Sequence, residues 1–205
     1  MSDTKIIIFD FDGVIVDTTK LAYEFTKWEW PEITEEQHAA MFDGNIFEAI
    51  DHMPPSTRTK EEKAVYREEV HLPGKKKIMP YEGMHDVIAA LSKKYTLVIN
   101  SSSTEHDIED YLSSHEMGEF FTRVYGKETS RNKVEKFNAI MKDFDVTKEE
   151  CVFITDTLGD VLEAQVLEIP TIVATYGYQK EPTFDTIRPK LKAVVHTPEE
   201  ILQII

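Results

Sequence analysis

The segment Ile6-Ile7-Ile8-Phe9-Asp10-Phe11-Asp12-Gly13-Val14 constrains this chain more than any other. An apolar run of strand length ends abruptly in two carboxylates spaced i, i+2 and then in a glycine, so a buried strand delivers paired acids to a loop. Residues i and i+2 of a strand share a side and lie roughly 6 to 7 Å apart. Such a pair can share one metal ion, or divide the work of nucleophile and acid/base. A strand ending in a solvated Asp-Gly turn would look the same, since Asp and Gly are common turn residues. Three sites further along the chain decide between the two readings.

At 205 residues the chain is long enough for one or two domains with a real core. Its 41% hydrophobic and 30% charged residues suit a globular protein rather than a disordered one. The formal net charge of -15 disfavours nucleic acid as a partner, because a polyphosphate backbone needs a basic stripe. It leaves a small phosphate ester open, because a metal ion and one or two placed cations reverse a local field. No apolar run approaches the roughly 18 residues that would span a bilayer, so no membrane partner is expected. The start Met1-Ser2-Asp3-Thr4-Lys5 lacks the layout of a signal peptide, which makes the cytoplasm the expected location. The single Cys151 excludes an intrachain disulfide and reads as a small buried residue.

Apolar runs of strand length recur at Lys5 to Phe9, Thr96 to Asn100, Val152 to Thr155, Thr171 to Ala174 and Ala193 to Val195. Helical spacing lies between them, as in Met84, Val87, Ile88 and Leu91 and in Val134, Phe137, Ile140, Met141 and Phe144. Alternating strands and helices predict an α/β fold with a doubly wound parallel sheet, which binds ligands at the carboxyl ends of its strands. The interval from Thr19 to Met79 breaks this rhythm with helical patterns and no convincing strand. Tyr23, Phe25, Trp28, Trp30, Met41, Phe42, Phe47, Ile50 and Met53 are expected to build a small helical core there. Pro54-Pro55-Ser56 and Pro73-Gly74 punctuate it, and Thr59 with Glu62 fits a capping box. Residues 1–18 and 80–205 therefore read as the core, and 19–79 as an inserted helical lid over the Asp10/Asp12 loop.

The second site is the strand Thr96 to Asn100 running into Ser101-Ser102-Ser103-Thr104-Glu105. Ser102 and Glu105 fit a capping box, which would set free helix N–H groups near Ser101, an anion site. The third is Lys133, at the start of an amphipathic helix. The fourth is Thr155-Asp156-Thr157-Leu158-Gly159-Asp160, again a strand ending in carboxylates, with Asp160 one helical turn beyond Asp156. Asp10, Asp12 and Asp156 could converge on Mg²⁺, a hard cation that takes oxygen ligands.

With these four sites in order, the chain resembles the haloacid dehalogenase-like (HAD) hydrolase superfamily, in its phosphoglycolate phosphatase and sugar phosphomutase-like branch. Asp10-Phe11-Asp12-Gly13-Val14 is similar to its first motif, Ser101 to its second, Lys133 to its third, and Asp156 with Asp160 to its fourth. Two positions depart from the pattern: Thr155 stands where glycine is frequent, and no proline follows Lys133, which leaves Lys127 as a substitute. The resemblance implies a Rossmann-like core with a small inserted α-helical cap. It also implies that Asp10 attacks phosphorus to form an aspartyl-phosphate, while Asp12 protonates the leaving oxygen and then activates water. Mg²⁺ and Lys133 would offset the phosphoryl charge. Ser101 and backbone N–H groups around Ser102 and Gly13 would hold its oxygens, and Asp160 would orient Lys133 or Asp156.

The expected activity is a Mg²⁺-dependent phosphatase acting on a small phosphorylated metabolite. A sugar phosphomutase using the same phosphoenzyme is the nearest alternative, and a non-catalytic metal- or phosphate-binding scaffold is another. The run Lys75-Lys76-Lys77 reads as a solvated face with substrate contact as the rival reading. The turn Asp43-Gly44-Asn45 is expected to face the site and help choose the substrate. The seven histidines show no zinc-type spacing.

Overall fold

The computed structural model describes residues 4–205; Met1, Ser2 and Asp3, part of the start read above, lie outside the described residues. Six strands form one parallel sheet: β1 (Ile6–Phe9), β2 (Thr96–Asn100), β3 (Phe121–Tyr125), β4 (Cys151–Thr155), β5 (Thr171–Ala174) and β6 (Ala193–Val195), in the order β3-β2-β1-β4-β5-β6. All five neighbouring pairs are parallel. Five strands match the apolar runs of the sequence; β3 does not. It is an edge strand whose Thr122 and Arg123 are exposed, so it carries no continuous apolar signature.

β1 is central and buried along its whole length. Its alternate side chains serve opposite faces: Ile7 and Phe9 pack in one cluster with Leu97, Ile99 and Val152, while Ile6 and Ile8 pack in another with Val98, Phe137 and Phe153. The register sets the chemistry. Phe9 lies opposite Ile99 on β2 and Ile154 on β4, so Asp10, Asn100 and Thr155 are the next residues at the same edge. Chain order reverses between β1 and β4, the switch point where open α/β sheets bind ligands.

The insertion holds α1 (Thr19–Glu29), α2 (Glu35–Ala40), α3 (Ile46–Asp51), α4 (Lys60–Tyr66) and α5 (Leu72–Lys76). The capping box of Thr59 and Glu62 is present. Pro73-Gly74 does not break the chain as punctuation would. A π-helical turn over Arg67–His71 carries α4 into α5, and the Leu72 N–H reaches back to the Arg67 carbonyl. Pro73 has no N–H to donate, and its ring crowds the preceding turn, which a wider turn accommodates. Gly74 lets α5 approach α1, since a Cβ there would meet Leu21 at 3.3 Å. An aromatic stack holds the insertion together: Trp28 lies 4.3 Å from Tyr66, with Phe25 against both and Arg58 over Trp28. Of the residues expected in that small core, Phe42, Phe47 and Ile50 instead line a cavity between insertion and sheet.

The two connections run side by side, Val16 bridging to Pro80 and Tyr81 N–H donating to the Ile15 carbonyl. The chain then continues through α6 (Met84–Leu91), α7 (Glu105–Ser114), α8 (Lys133–Asp143), α9 (Leu158–Val166) and α10 (Ile201–Ile204), with α6 and α7 on one face of the sheet and α8 on the other. Among the described residues no helix is long and apolar enough to cross a membrane.

Candidate active site

The cavity, of about 240 Å³, opens where the first-strand, second-strand and fourth-strand ends meet; three of the four sites read from the sequence line it, and Lys133 reaches it only through Asp10 and Asp160. Asp10 follows β1 directly and is buried. Its Oδ1 accepts the Phe11 N–H at 2.7 Å, and its Oδ2 pairs with Lys133 Nζ at 2.9 Å. Lys133, the first residue of α8, is 2% exposed and also reaches Asp160 Oδ2 and the Asn100 carbonyl, each at 2.9 Å. Lys127, the substitute considered, is exposed, and its backbone N–H is spent on the Ser103 carbonyl. Asp160 is anchored in turn by the Thr155 hydroxyl at 2.8 Å, so the threonine that replaces the frequent glycine carries a contact of its own.

Burial pushes the Asp10 carboxyl well above the usual carboxylate range; Lys133 opposes this and Asp160 adds to it. For Asp160, burial acts in the same direction, but Lys133 and the hydroxyl contact hold it below the usual range. The two acids share one lysine and titrate as a pair, with Asp160, which also has the hydroxyl contact, the stronger acid of the two. Lys133 itself stays protonated: burial disfavours its charge, but the two carboxylates outweigh burial.

Asp156 follows β4 and is 1% exposed. Its Oδ2 accepts the Tyr178 N–H at 2.6 Å, whereas its Oδ1 is buried with no hydrogen-bond partner. Burial raises this carboxyl to about 7, the Tyr178 N–H opposing and Asp160 reinforcing the shift. Gly13 sits against it at φ +78°, where a Cβ would fall 1.9 Å from Asp156 Oδ2, so both the backbone and the space require glycine. An orphaned carboxylate oxygen beside Asp10 is a donor set that fits a hard cation. Among the described residues no three His, Cys, Asp or Glu side chains are already gathered as a metal site.

Asp12 is held by three side-chain donors. Its Oδ1 accepts Thr18 Oγ1 at 2.8 Å and pairs with Lys75 Nζ at 2.8 Å; its Oδ2 accepts Ser103 Oγ at 2.6 Å. Burial raises its proton affinity, but Lys75, Ser103 and Thr18 together hold the carboxyl below its ordinary value. Lys75 belongs to the run read as solvated, yet it is 4% exposed, 4.7 Å from the Phe11 ring centre and 3.3 Å from Ser103 Oγ. Only its helical register, one turn beyond His71 on the face that lines the cavity, distinguishes it from Lys76 and Lys77.

Ser101 is buried on the cavity floor, its Oγ accepting the Ser103 N–H at 3.1 Å. Ser102 also lines the cavity but does not cap α7; that role falls to Thr104, whose hydroxyl accepts the Asp107 N–H. Beneath this loop the fully buried Lys136 donates to the Ser101 carbonyl. Burial and neighbouring Lys133 lower Lys136 to about 8. Lys136 shares a helix face with Lys133, and nothing else in its sequence context marks it.

The turn Asp43-Gly44-Asn45 presents Gly44 to the cavity and uses its flanks to dock the insertion. Gln179 Nε2 donates to Asp43 Oδ1 at 2.8 Å, and Asn45 Nδ2 donates to Glu163 Oε1 at 3.0 Å and to the Arg131 carbonyl at 3.1 Å. Gly159 N–H donates to the Phe42 carbonyl at 2.9 Å, and a Cβ on Gly159 would lie 2.1 Å from the Gly44 carbonyl oxygen.

The family model described as "Haloacid dehalogenase-like hydrolase" matches residues 7–174. The chain belongs to the haloacid dehalogenase-like hydrolase family. Within it, the chain is 22% identical over 205 residues to a phosphoglycolate phosphatase of Aliivibrio fischeri, covering 90% of each protein. It is 21% identical over 208 residues to the pyrophosphatase PpaX of Halalkalibacterium halodurans, covering 97% of this chain and 95% of the relative. A haloacid dehalogenase-like hydrolase from Streptococcus pneumoniae shares the fold with a TM-score of 0.79 at 19% identity, over 99% of each chain. The protein is thus an enzyme of this hydrolase family, and the curated relatives named are phosphatases.

Proposed function

We propose that this protein is a Mg²⁺-dependent phosphatase that hydrolyses a small organic phosphate monoester through an aspartyl-phosphate on Asp10. The catalytic core comprises 1–18 and 80–205, and the cap 19–79. One observation carries the reading: two carboxylates at the end of β1 are held by different cations, Asp10 by Lys133 from the core and Asp12 by Lys75 from the insertion. Different partners fit different roles.

Asp10 would attack phosphorus with a carboxylate oxygen as the bond to the leaving oxygen breaks. That oxygen takes a proton from Asp12. In the second half, Asp12 accepts a proton from water as the water oxygen attacks phosphorus and the Asp10–phosphorus bond breaks. The three donors on Asp12 keep it in its base form, the form the second half needs. For the first half, substrate must displace one of them so that Asp12 can carry a proton. Ser101 and the backbone around Ser102 and Gly13 would bind phosphoryl oxygens, and Asp160 with Thr155 fixes Lys133 against Asp10. Asp10 and Asp156 would hold Mg²⁺, with Asp12 joining only if it gives up a present donor; the cation supplies charge neutralisation for the phosphoryl group.

The test is phosphate release from a panel of phosphate esters, with magnesium and with a chelator. Magnesium-dependent release that Asp10→Asn abolishes is expected. Absence of release from every ester, or a fully active Asp10→Asn variant, contradicts the proposal.

A further inference from the structure

The cavity has a floor and a wall of opposite chemistry. The floor carries the carboxylates of Asp10, Asp12, Asp156 and Asp160 and the serines after β2. Of the wall supplied by the insertion, Ala22, Phe42, Ile46, Phe47 and Ile50 form an apolar part beside the polar Thr19, His71 and Lys75, and Tyr178 closes it from the core.

Among the described residues, Lys75 and His71 are the only basic side chains that line this space. Neither is an uncommitted cation. Lys75 is committed to Asp12 and Ser103. Burial and the neighbouring Lys75 disfavour an imidazolium at His71, whose Nδ1 is buried without a partner. Arg131 stands outside the wall, bonded to Asp51 and the Phe47 carbonyl, with its guanidinium 4.7 Å from the Phe47 ring centre. A substrate carrying a carboxylate or a second phosphate beyond the reacting phosphoryl group would meet aliphatic and aromatic surface there. The lysine that lines the space, Lys75, is already paired with Asp12, so engaging it with a second anion would weaken that pair.

We propose that the group esterified to phosphate is small, uncharged and apolar, so that the site takes phosphomonoesters of neutral aliphatic or aromatic alcohols and rejects those whose leaving group bears a second anion. This rests on the phosphatase reading above. It separates the chain from relatives named for pyrophosphate and phosphoglycolate, whose leaving groups are anionic. A cavity of about 240 Å³ suits a compact substrate, a phosphoryl group with a short chain or one ring.

Wild-type kcat/KM with magnesium is measured for methyl, propyl, butyl and phenyl phosphate against 2-phosphoglycolate and pyrophosphate. The same esters are titrated by calorimetry into Asp10→Asn, a readout that needs no turnover. Each methylene accepted by an apolar pocket is worth up to 10–200-fold, so propyl and butyl phosphate should exceed both anionic compounds by at least about tenfold in either measurement. Ile50 lines the wall and is 37% exposed, so Ile50→Lys is tolerated by the fold and should raise relative activity or affinity for 2-phosphoglycolate about tenfold or more. Anionic compounds preferred by the wild type, neutral esters that fail to bind, or Ile50→Lys without effect on the preference would each overturn the inference. If neutral esters bind selectively but none is hydrolysed, the phosphatase reading falls and the specificity inference stands.

Discussion

Replacing Asp156 by Asn should stabilise the metal-free protein while destroying its response to magnesium. The perturbation is nearly isosteric: the amide oxygen can keep the Tyr178 N–H, and the amide nitrogen takes the position of the orphaned Oδ1. What disappears is a buried charge. Asp156 is raised from 3.8 to about 7 in the fold. A tenfold change in proton affinity is 1.36 kcal/mol, so ionising this group in the folded state costs about 2–4 kcal/mol once local relaxation is counted. The sign follows from linkage. Below about pH 4 the carboxyl is protonated in both states and costs nothing. As pH rises from about 4 to about 7 the unfolded chain ionises while the folded one resists, so stability falls and the full penalty is present above about pH 7. The variant has no such charge. Its melting temperature in chelator should match the wild type near pH 4 and exceed it by about 5–15 °C near pH 8, at 2–4 °C per kcal/mol for a chain of this size. Saturating magnesium should close the gap by raising the wild type alone, by about 2.7 kcal/mol at a hundredfold excess over Kd. A variant that melts below the wild type at pH 8, a difference independent of pH, or equal protection of both proteins by magnesium would refute the reasoning.

Lys133→Met should reduce phosphate release by several orders of magnitude and also destabilise the fold by up to about 3–5 kcal/mol, because it strands Asp10 and Asp160 in a buried site. Lys127→Met should do neither, and the converse result in activity and melting assays would move the third motif to Lys127. Asp12→Asn should slow turnover by about 10²–10⁴-fold for an alkyl phosphate and less for nitrophenyl phosphate, whose leaving group needs no proton; equal losses for the two would remove the acid role. Gly159→Ala should raise KM and lower kcat, because its Cβ would collide with the Gly44 carbonyl where the insertion docks, while the melting temperature changes little. Unchanged kinetics would show that the docked arrangement is not needed for turnover.

The acids at the ends of β1 and β4 were legible in the sequence because each follows a continuous apolar run, and the parallel register then aligned them. Lys133 stood out only through its place in the order of the four sites, because a lysine at the start of an amphipathic helix is ordinarily solvated and Lys127 was open as a substitute. Lys75 was not legible: a run of three lysines after Pro-Gly looks solvated, and only the π-helical turn that carries the chain past Pro73 aims one of them inward. β3 escaped because an edge strand with exposed Thr122 and Arg123 lacks a buried pattern. Phe42, Phe47 and Ile50 were recognisable as apolar and helical, but hydrophobic spacing cannot distinguish a residue that fills a core from one that walls a cavity.

The central claim is that Asp10 becomes covalently phosphorylated. During turnover of a phosphate ester with magnesium, borohydride reduces an acyl phosphate to an alcohol, so the aspartate that carried it is recovered as homoserine. Mass spectrometry of the peptide containing Asp10 reads this directly, and Asp12→Asn, slowed in the second half-reaction, should accumulate more of the trapped species. The account predicts homoserine at position 10, dependent on both substrate and magnesium. Turnover with an unmodified Asp10, or modification at Asp12 or Asp156 instead, would contradict it.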